Sequence, residues 1–378
     1  MADRYWVGGT GTWNTTSTTN WSATSGGASG ASVPTTADNV IFDQAGTYTV
    51  TMTGALACLN ITVSAGVVTL NGFNINGLTV AGSWSTIAGT VWSQAANMIV
   101  TFTSTTARTI TSGGVQFPGR FDFNGAGGTW TLQDNIFVVT LVNHIAGTLE
   151  LGSFTLTTRE FSSSGSGVRT INFGTGNITL DNNSGSSTTI WNTSTNTNLT
   201  ISGTPLVITK CSGAISTTTM TVSTGALSEA NSISFQLNDT TGFGKIQFSV
   251  GSVVRNLTLN GNMPLSTPFG ITIYGNYTYI SGTITATAYA WTFAGTSGTK
   301  TISTGATTHD LPFTLDGAGS TFLLDTNLTL GATRVLTLTN GTFDQNAKTI
   351  TSANTTVVTG SVTVNNLNIG SLGLPEKV

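Results

Sequence analysis

The chain has 378 residues, and its 12 Lys/Arg and 15 Asp/Glu make up only 7% of it, against about a quarter in an average soluble domain. Thr supplies about a fifth of the positions, and the Glu, Lys, Arg and Gln that clothe helix surfaces are scarce, which argues against an ordinary helical enzyme. A hydrophobic fraction of 38% argues against charge-driven disorder, and a net charge of −3 with no basic patch offers nothing to neutralise the phosphates of a nucleic acid.

Residues 1–45 differ from the rest of the chain. They hold Trp6, Trp13, Trp21 and Phe42, an aromatic set that predicts an N-terminal capping or attachment module. The start shows no basic segment followed by an apolar one, so no secretory signal is expected, and no apolar run is long enough for a membrane helix.

From residue 46 to residue 370 strands dominate. Thr47–Thr53 alternates at period two, as do Leu257–Leu259, Ile271–Tyr274, Ile280–Thr287 and Leu336–Leu338. Turn pairs such as Asn71-Gly72, Asn124-Gly125, Asn260-Gly261, Asp316-Gly317 and Asn340-Gly341 recur at short spacing. The segments near 92–160 and 291–352 are related. Arg108–Asn135 aligns without a gap on Lys300–Asn327, with 10 identities in 28 columns. Gly125-Ala126-Gly127 falls on Gly317-Ala318-Gly319, Trp130 on Phe322 and Arg108 on Lys300. Self-similarity of this kind in a strand-rich chain predicts an all-β fold, an elongated β-solenoid (parallel β-helix-like) with an aromatic-rich N-terminal cap. Units of roughly 18–25 residues give ~16 coils, and at ~4.8 Å per coil a rod of about 75–80 Å. Inward positions are expected to be Val, Ile, Leu and Phe. Outward ones are expected to be Thr stacked in ladders, with Asn amides stacking at the turns. Residues 371–378, with Pro375, end the pattern as a short tail.

Signals for chemistry are thin. His144 and His309 stand far apart with no nucleophile motif around them, and Cys58 and Cys211 form no CxxC or Cys/His cluster. No catalytic, metal or cofactor residues are therefore expected, and the cysteines read as small buried hydrophobes. A glycosidase needs two carboxyls flanking a bond, and Asp122 with Asp134, Glu150 with Glu160, or Asp316 with Asp325 could be brought together on adjacent coils. Asp134 and Asp325, however, sit at turns, where Asp serves the backbone. Asp310 and Asp316 lie near His309 but lack the spacing of metal ligands. Asn-x-Ser/Thr sequences, among them Asn60, Asn256, Asn276, Asn327 and Asn354, are expected from the composition alone. Tyr274, Tyr277, Tyr279, Tyr289 and Trp291 form the one aromatic-rich stretch beyond the N-terminus, and they are the candidate contacts for a sugar ring, against a packing role for the same residues.

The opening Trp6–Trp13 (WVGGTGTW), Asn20–Ser22 (NWS) and Pro34–Asp43 (PTTADNVIFD) resembles N-terminal modules of bacterial adhesins and autotransporter passengers. With Phe123–Asp134 (FNGAGGTWTLQD) and Val168–Leu180 (VRTINFGTGNITL), the chain is similar to Gly/Thr-rich β-solenoid fibre and appendage proteins of tailed bacteriophages. The resemblance implies a non-enzymatic virion structural protein, a fibre, spike or surface appendage. It would have other virion proteins as partners, self-association as a homotrimer, and contact with host surface carbohydrate. Neither nucleic-acid binding nor membrane insertion is implied, and the location would be the virion, outside the cell after lysis. A bacterial cell-surface adhesin of the autotransporter-passenger type is the alternative, and a polysaccharide-degrading tailspike is a third reading.

Overall fold

The computed structural model describes residues 1–72, 75–93, 97–182, 188–210, 219–238, 245–352, 357–358 and 360–366. Cys211, Asn354 and the expected tail 371–378 lie outside the described residues. The chain is all-β, and its one helical element among the described residues is a single 3-10 turn, Glu229–Asn231. It forms two compact units, Met1–Thr179 with Thr197–Pro205, and Leu180–Asn196 with Leu206–Val378. Each is a β-solenoid.

Beyond the N-terminal strands, the first unit is built by parallel pairing of strands with those a coil further on. Cys58, Val80, Phe102, Phe123 and His144 stand in register as one column, at intervals of 22, 22, 21 and 21 residues. The first four are the apolar, buried positions of alternating strands. Outward positions carry the expected Thr ladder: Thr129, Thr148, Thr170 and Thr200 align on successive coils. In the second unit, Ile271, Trp291, Phe313 and Leu336 make an inward column, with Thr272, Thr292, Thr314 and Thr337 as the outward ladder beside it. Low charge is thereby explained. Coil is held to coil by backbone bonds, stacked methyls and hydroxyls, so the surface needs few ionic groups.

Asn closes the corners. Oδ1 of Asn60 accepts from the Ser83 N–H (2.7 Å), and Oδ1 of Asn256 from that of Asn276 (2.7 Å). Oδ1 of Asn135, Asn276 and Asn327 accepts in the same way from the N–H groups of Thr155, Thr301 and Thr349, each at 2.9 Å. Amide nitrogens also bond along the stack, Asn60 to Asn39 and Asn39 to Asp3, at 2.7 Å each. The expected amide ladders are therefore present, and they carry backbone groups that the turns would otherwise leave unpaired.

The 192-residue repeat is a repeat of structure. Strands Arg120–Leu132 and Phe313–Leu324 share their burial pattern over the last nine residues, and both break register at the same place, Asn124 in one and Asp316 in the other. There Gly125 lies against the carbonyl of Ser104 and the ring of Trp130, and Gly317 against the carbonyl of Gly295 and the ring of Phe322. A side chain at either position has no room, which explains the first Gly of Gly-Ala-Gly in both copies; the second, Gly127 and Gly319, has a positive φ (79° and 88°).

Two expectations need correction. Beyond the N-terminal module, coil lengths range more widely than 18–25 residues, from 19 between Trp130 and Leu149 to 32 between Thr188 and Met220. The coils are thus fewer than the ~16 expected, because added corner residues leave the ladder intact at small entropic cost. The strand expected at Ile280–Thr287 instead runs Tyr277–Ile284. Tyr277 enters the core and Ile280 is left exposed, since the strand shifts register at the coil boundary near Asn260 and Ser281.

Candidate functional site

The N-terminal aromatic set assembles as the sequence suggests. Trp6, Trp13, Trp21 and Phe42 are all buried, and the Trp21 ring meets those of Trp6 and Trp13 edge to face at 5.1 and 5.4 Å. Trp6 pairs antiparallel with Trp21, while Ala2–Trp6 pairs parallel with Asp38–Phe42. The chain thus folds a reversed strand over the start of the parallel ladder, and the indoles fill the core beneath it.

The two histidines are core residues. His144 continues the column below Phe123 and is wholly buried. Its Nε2–H donates to the Gly147 carbonyl (2.9 Å), and its Nδ1 accepts from the Ser163 hydroxyl (3.2 Å). Ser163 and Arg169 are buried beside it, and the guanidinium donates to the carbonyls of Ser163, Gly167 and Thr197. Burial drives the His144 pKa down to about 4; Arg169 adds to this, and the bond to Gly147 opposes it. A serine hydroxyl on an imidazole is the geometry of an activated nucleophile, but with both residues buried no substrate reaches it. His309 is built likewise. Its Nδ1–H donates to the Thr307 carbonyl (2.9 Å), and its Nε2 accepts from the Tyr277 hydroxyl (2.7 Å). Burial lowers its pKa.

Five of the six carboxylates named as possible pairs, all but Asp325, are occupied by something else. Asp122 holds Arg120 (2.5 Å), Glu160 holds Arg159 (3.1 Å), and Asp310 holds Arg334 (2.6 Å). Glu150 accepts from Thr131 (2.9 Å) and Asn172 (3.1 Å), and Asp316 accepts from Asn340 (2.7 Å). Asp134 serves the backbone as expected, but one coil away, accepting from the N–H groups of Ser112 (2.8 Å) and Gly113 (2.6 Å). The expectation that Asp325 repeats this role is corrected. Thr326 takes it, its hydroxyl accepting from the Thr304 N–H (2.7 Å). No group of three metal-ligating side chains occurs among the described residues.

The aromatic stretch divides. Tyr277 and Trp291 are wholly buried with rings 5.3 Å apart, edge to face, so no sugar reaches them, and the sugar-contact expectation for these two is corrected. The alternation that suggested an exposed face is the alternation that drives them inward. Tyr279 is half-buried, with its hydroxyl on the Gly282 carbonyl (2.7 Å), and Tyr274 directs its hydroxyl at the Leu227 carbonyl (3.4 Å). Tyr289 stays exposed, beside an exposed Phe269 one coil away, the ring centroids 6.2 Å apart.

The aligned cations have different partners. Arg108 donates to Ser104 (3.0 Å), whereas Lys300 reaches Glu229 (3.2 Å), a residue 71 positions earlier that the sequence did not single out. No protein-family model, curated protein or solved structure matches the chain.

Proposed function

We propose that the protein is a non-enzymatic structural component of a tailed-phage virion, a fibre, spike or surface appendage that touches host surface glycans. One observation carries most of the weight: many polar side chains of both solenoid units are spent on holding coil to coil or on pairing with a strand neighbour. Asn oxygens tie the corners, Thr stacks in ladders, and the carboxylates considered for catalysis, Asp325 apart, are bound to arginines, amides, a hydroxyl and backbone N–H groups. Such a body suits stiffness and repeated weak contact better than bond cleavage, which needs convergent, accessible carboxyls. Several copies on one particle would convert weak contacts into useful avidity. The resemblance of the Gly-Ala-Gly and opening tryptophan segments to phage appendage proteins supports the same reading.

The experiment is quantitative mass spectrometry of particles banded on a density gradient from a lysed culture. The reading expects the chain in the particle band at a fixed ratio to capsid protein. Its recovery in the cell-envelope fraction, with none in the particles, overturns the virion role in favour of a cellular adhesin.

A further inference from the structure

An open cleft of about 370 Å³ lies on the second unit, lined by Glu229, Arg255, Asn256, Asn276, Thr299 and Lys300, with Ala230 and Gly275 between them. Its size is that of a small-ligand site, but its walls are polar where such sites are usually apolar. The positions come from three successive coils, at 255–256, 275–276 and 299–300. At ~4.8 Å per coil the lining spans about 10 Å, the reach of a disaccharide.

The charges in the cleft do not cancel. Glu229 is already satisfied: its Oε2 accepts from the N–H (3.0 Å) and hydroxyl (2.6 Å) of Thr296, and its Oε1 accepts from Lys300 (3.2 Å). Burial works to raise its pKa, but the bonds from Thr296 and Lys300 outweigh it and hold the group ionised. Arg255 makes no ion pair among the described residues. Its Nη2 donates to the carbonyls of Glu229 (3.3 Å) and Ala230 (2.8 Å), and its Nε and Nη1 have no partner among the described residues. Asn276 has its Oδ1 committed to the Thr301 N–H, the residue is exposed, and its amide nitrogen makes no bond among the described residues. Gly275 sits where a side chain would strike Asn256 Oδ1, so the floor between coils stays open. The result is one uncompensated guanidinium flanked by an amide donor and the Thr299 hydroxyl, in a chain that is otherwise acidic.

We infer that this cleft binds a carboxylate-bearing sugar of an acidic polysaccharide. With Nη2 held by the backbone, the guanidinium takes the carboxylate through a single charge-assisted hydrogen bond from Nη1, and Asn276 and Thr299 take ring hydroxyls. The inference rests on the proposed contact with host glycans and gives that contact a chemical class and a place.

The test is binding of trigalacturonate to the full chain, measured by NMR line broadening and calorimetry, with maltotriose as the neutral probe and a sulfated disaccharide as a second anion. The expected result is saturable binding of trigalacturonate with Kd of about 1 mM or tighter, weakened at least tenfold in Arg255→Gln and severalfold in Arg255→Lys. Because Arg255 also holds the 3-10 turn, Asn276→Asp is the second variant. It keeps Oδ1 for Thr301, sets a negative charge against the ligand, and is expected to abolish binding with the melting temperature unchanged. No binding of trigalacturonate, equal binding of maltotriose or of the sulfated probe, or binding untouched by both variants would overturn the inference. Since the isolated chain is used, absence of the protein from particles removes the virion role and leaves the cleft standing, whereas absence of binding removes the cleft alone.

Discussion

Replacing Gly125 or Gly317 by Ala tests the packing of the repeat at its tightest point. An added Cβ at Gly125 would lie 1.9 Å from the Ser104 carbonyl oxygen and 2.9 Å from the Trp130 ring, and one at Gly317 would lie 2.2 Å from the Gly295 oxygen and 2.6 Å from Phe322. Ordinary contacts begin at ~3.5 Å. Two effects oppose each other. Gly to Ala stabilises by about 0.4–1 kcal/mol through the unfolded chain, and overpacking costs about 1–3 kcal/mol. Overpacking wins here, because the clashing oxygen belongs to the backbone of the preceding coil and cannot rotate away. A net loss of about 2 kcal/mol lowers Tm by about 4–8 °C in a unit of this size. Far-UV circular dichroism on heating reads it directly. If either variant melts with the wild type or above it, the close approach of coils at these glycines is wrong.

The core supplies the remaining predictions. His144 has its pKa lowered to about 4 from 6.5, so the unfolded chain takes up the proton first, and stability is lost as pH falls from about 6.5 to 4 and levels off below. The full shift corresponds to about 3 kcal/mol, and denaturant titrations of wild type against His144→Gln should converge across that window; parallel curves would contradict a buried neutral imidazole. Trp130→Phe should change stability by less than about 1.5 kcal/mol, since Phe322 fills the equivalent place, whereas Phe42→Ala should cost about 3–5 kcal/mol by emptying the N-terminal aromatic cluster. Cys58 is wholly buried and its thiol pKa is pushed up by that burial, so in a Cys211→Ser variant the native protein should resist a thiol reagent that labels it fully after denaturation.

The fold was legible because its signals are local. Alternation, Asn-Gly turns and Thr runs each reflect a side chain's immediate place on a strand, and the 192-residue offset exposed Gly125 and Gly317 as one feature. The aromatic start was legible for the same reason, as four large rings within 42 residues have few ways to be buried apart. What escaped depends on register between coils. Period two in the stretch from Tyr274 to Trp291 says that alternate residues share a face, but not which face is inside, and Tyr277 and Trp291 proved to be core. His144 looked like an isolated polar residue until the ladder placed it beneath Phe123. Glu229 and Lys300 are 71 residues apart, and coils of unequal length hide any fixed period that would join them. Thr326 takes the role expected of Asp325 because the 192-residue offset sets Thr326, not Asp325, on Asp134, and its hydroxyl offers the same acceptor to the Thr304 N–H.

The virion role is tested most directly by immunogold labelling of negatively stained particles with antibodies raised against the purified chain. Gold on projecting appendages, at a constant number of copies per particle, is the predicted result. Bare particles with gold along the cell envelope would contradict it.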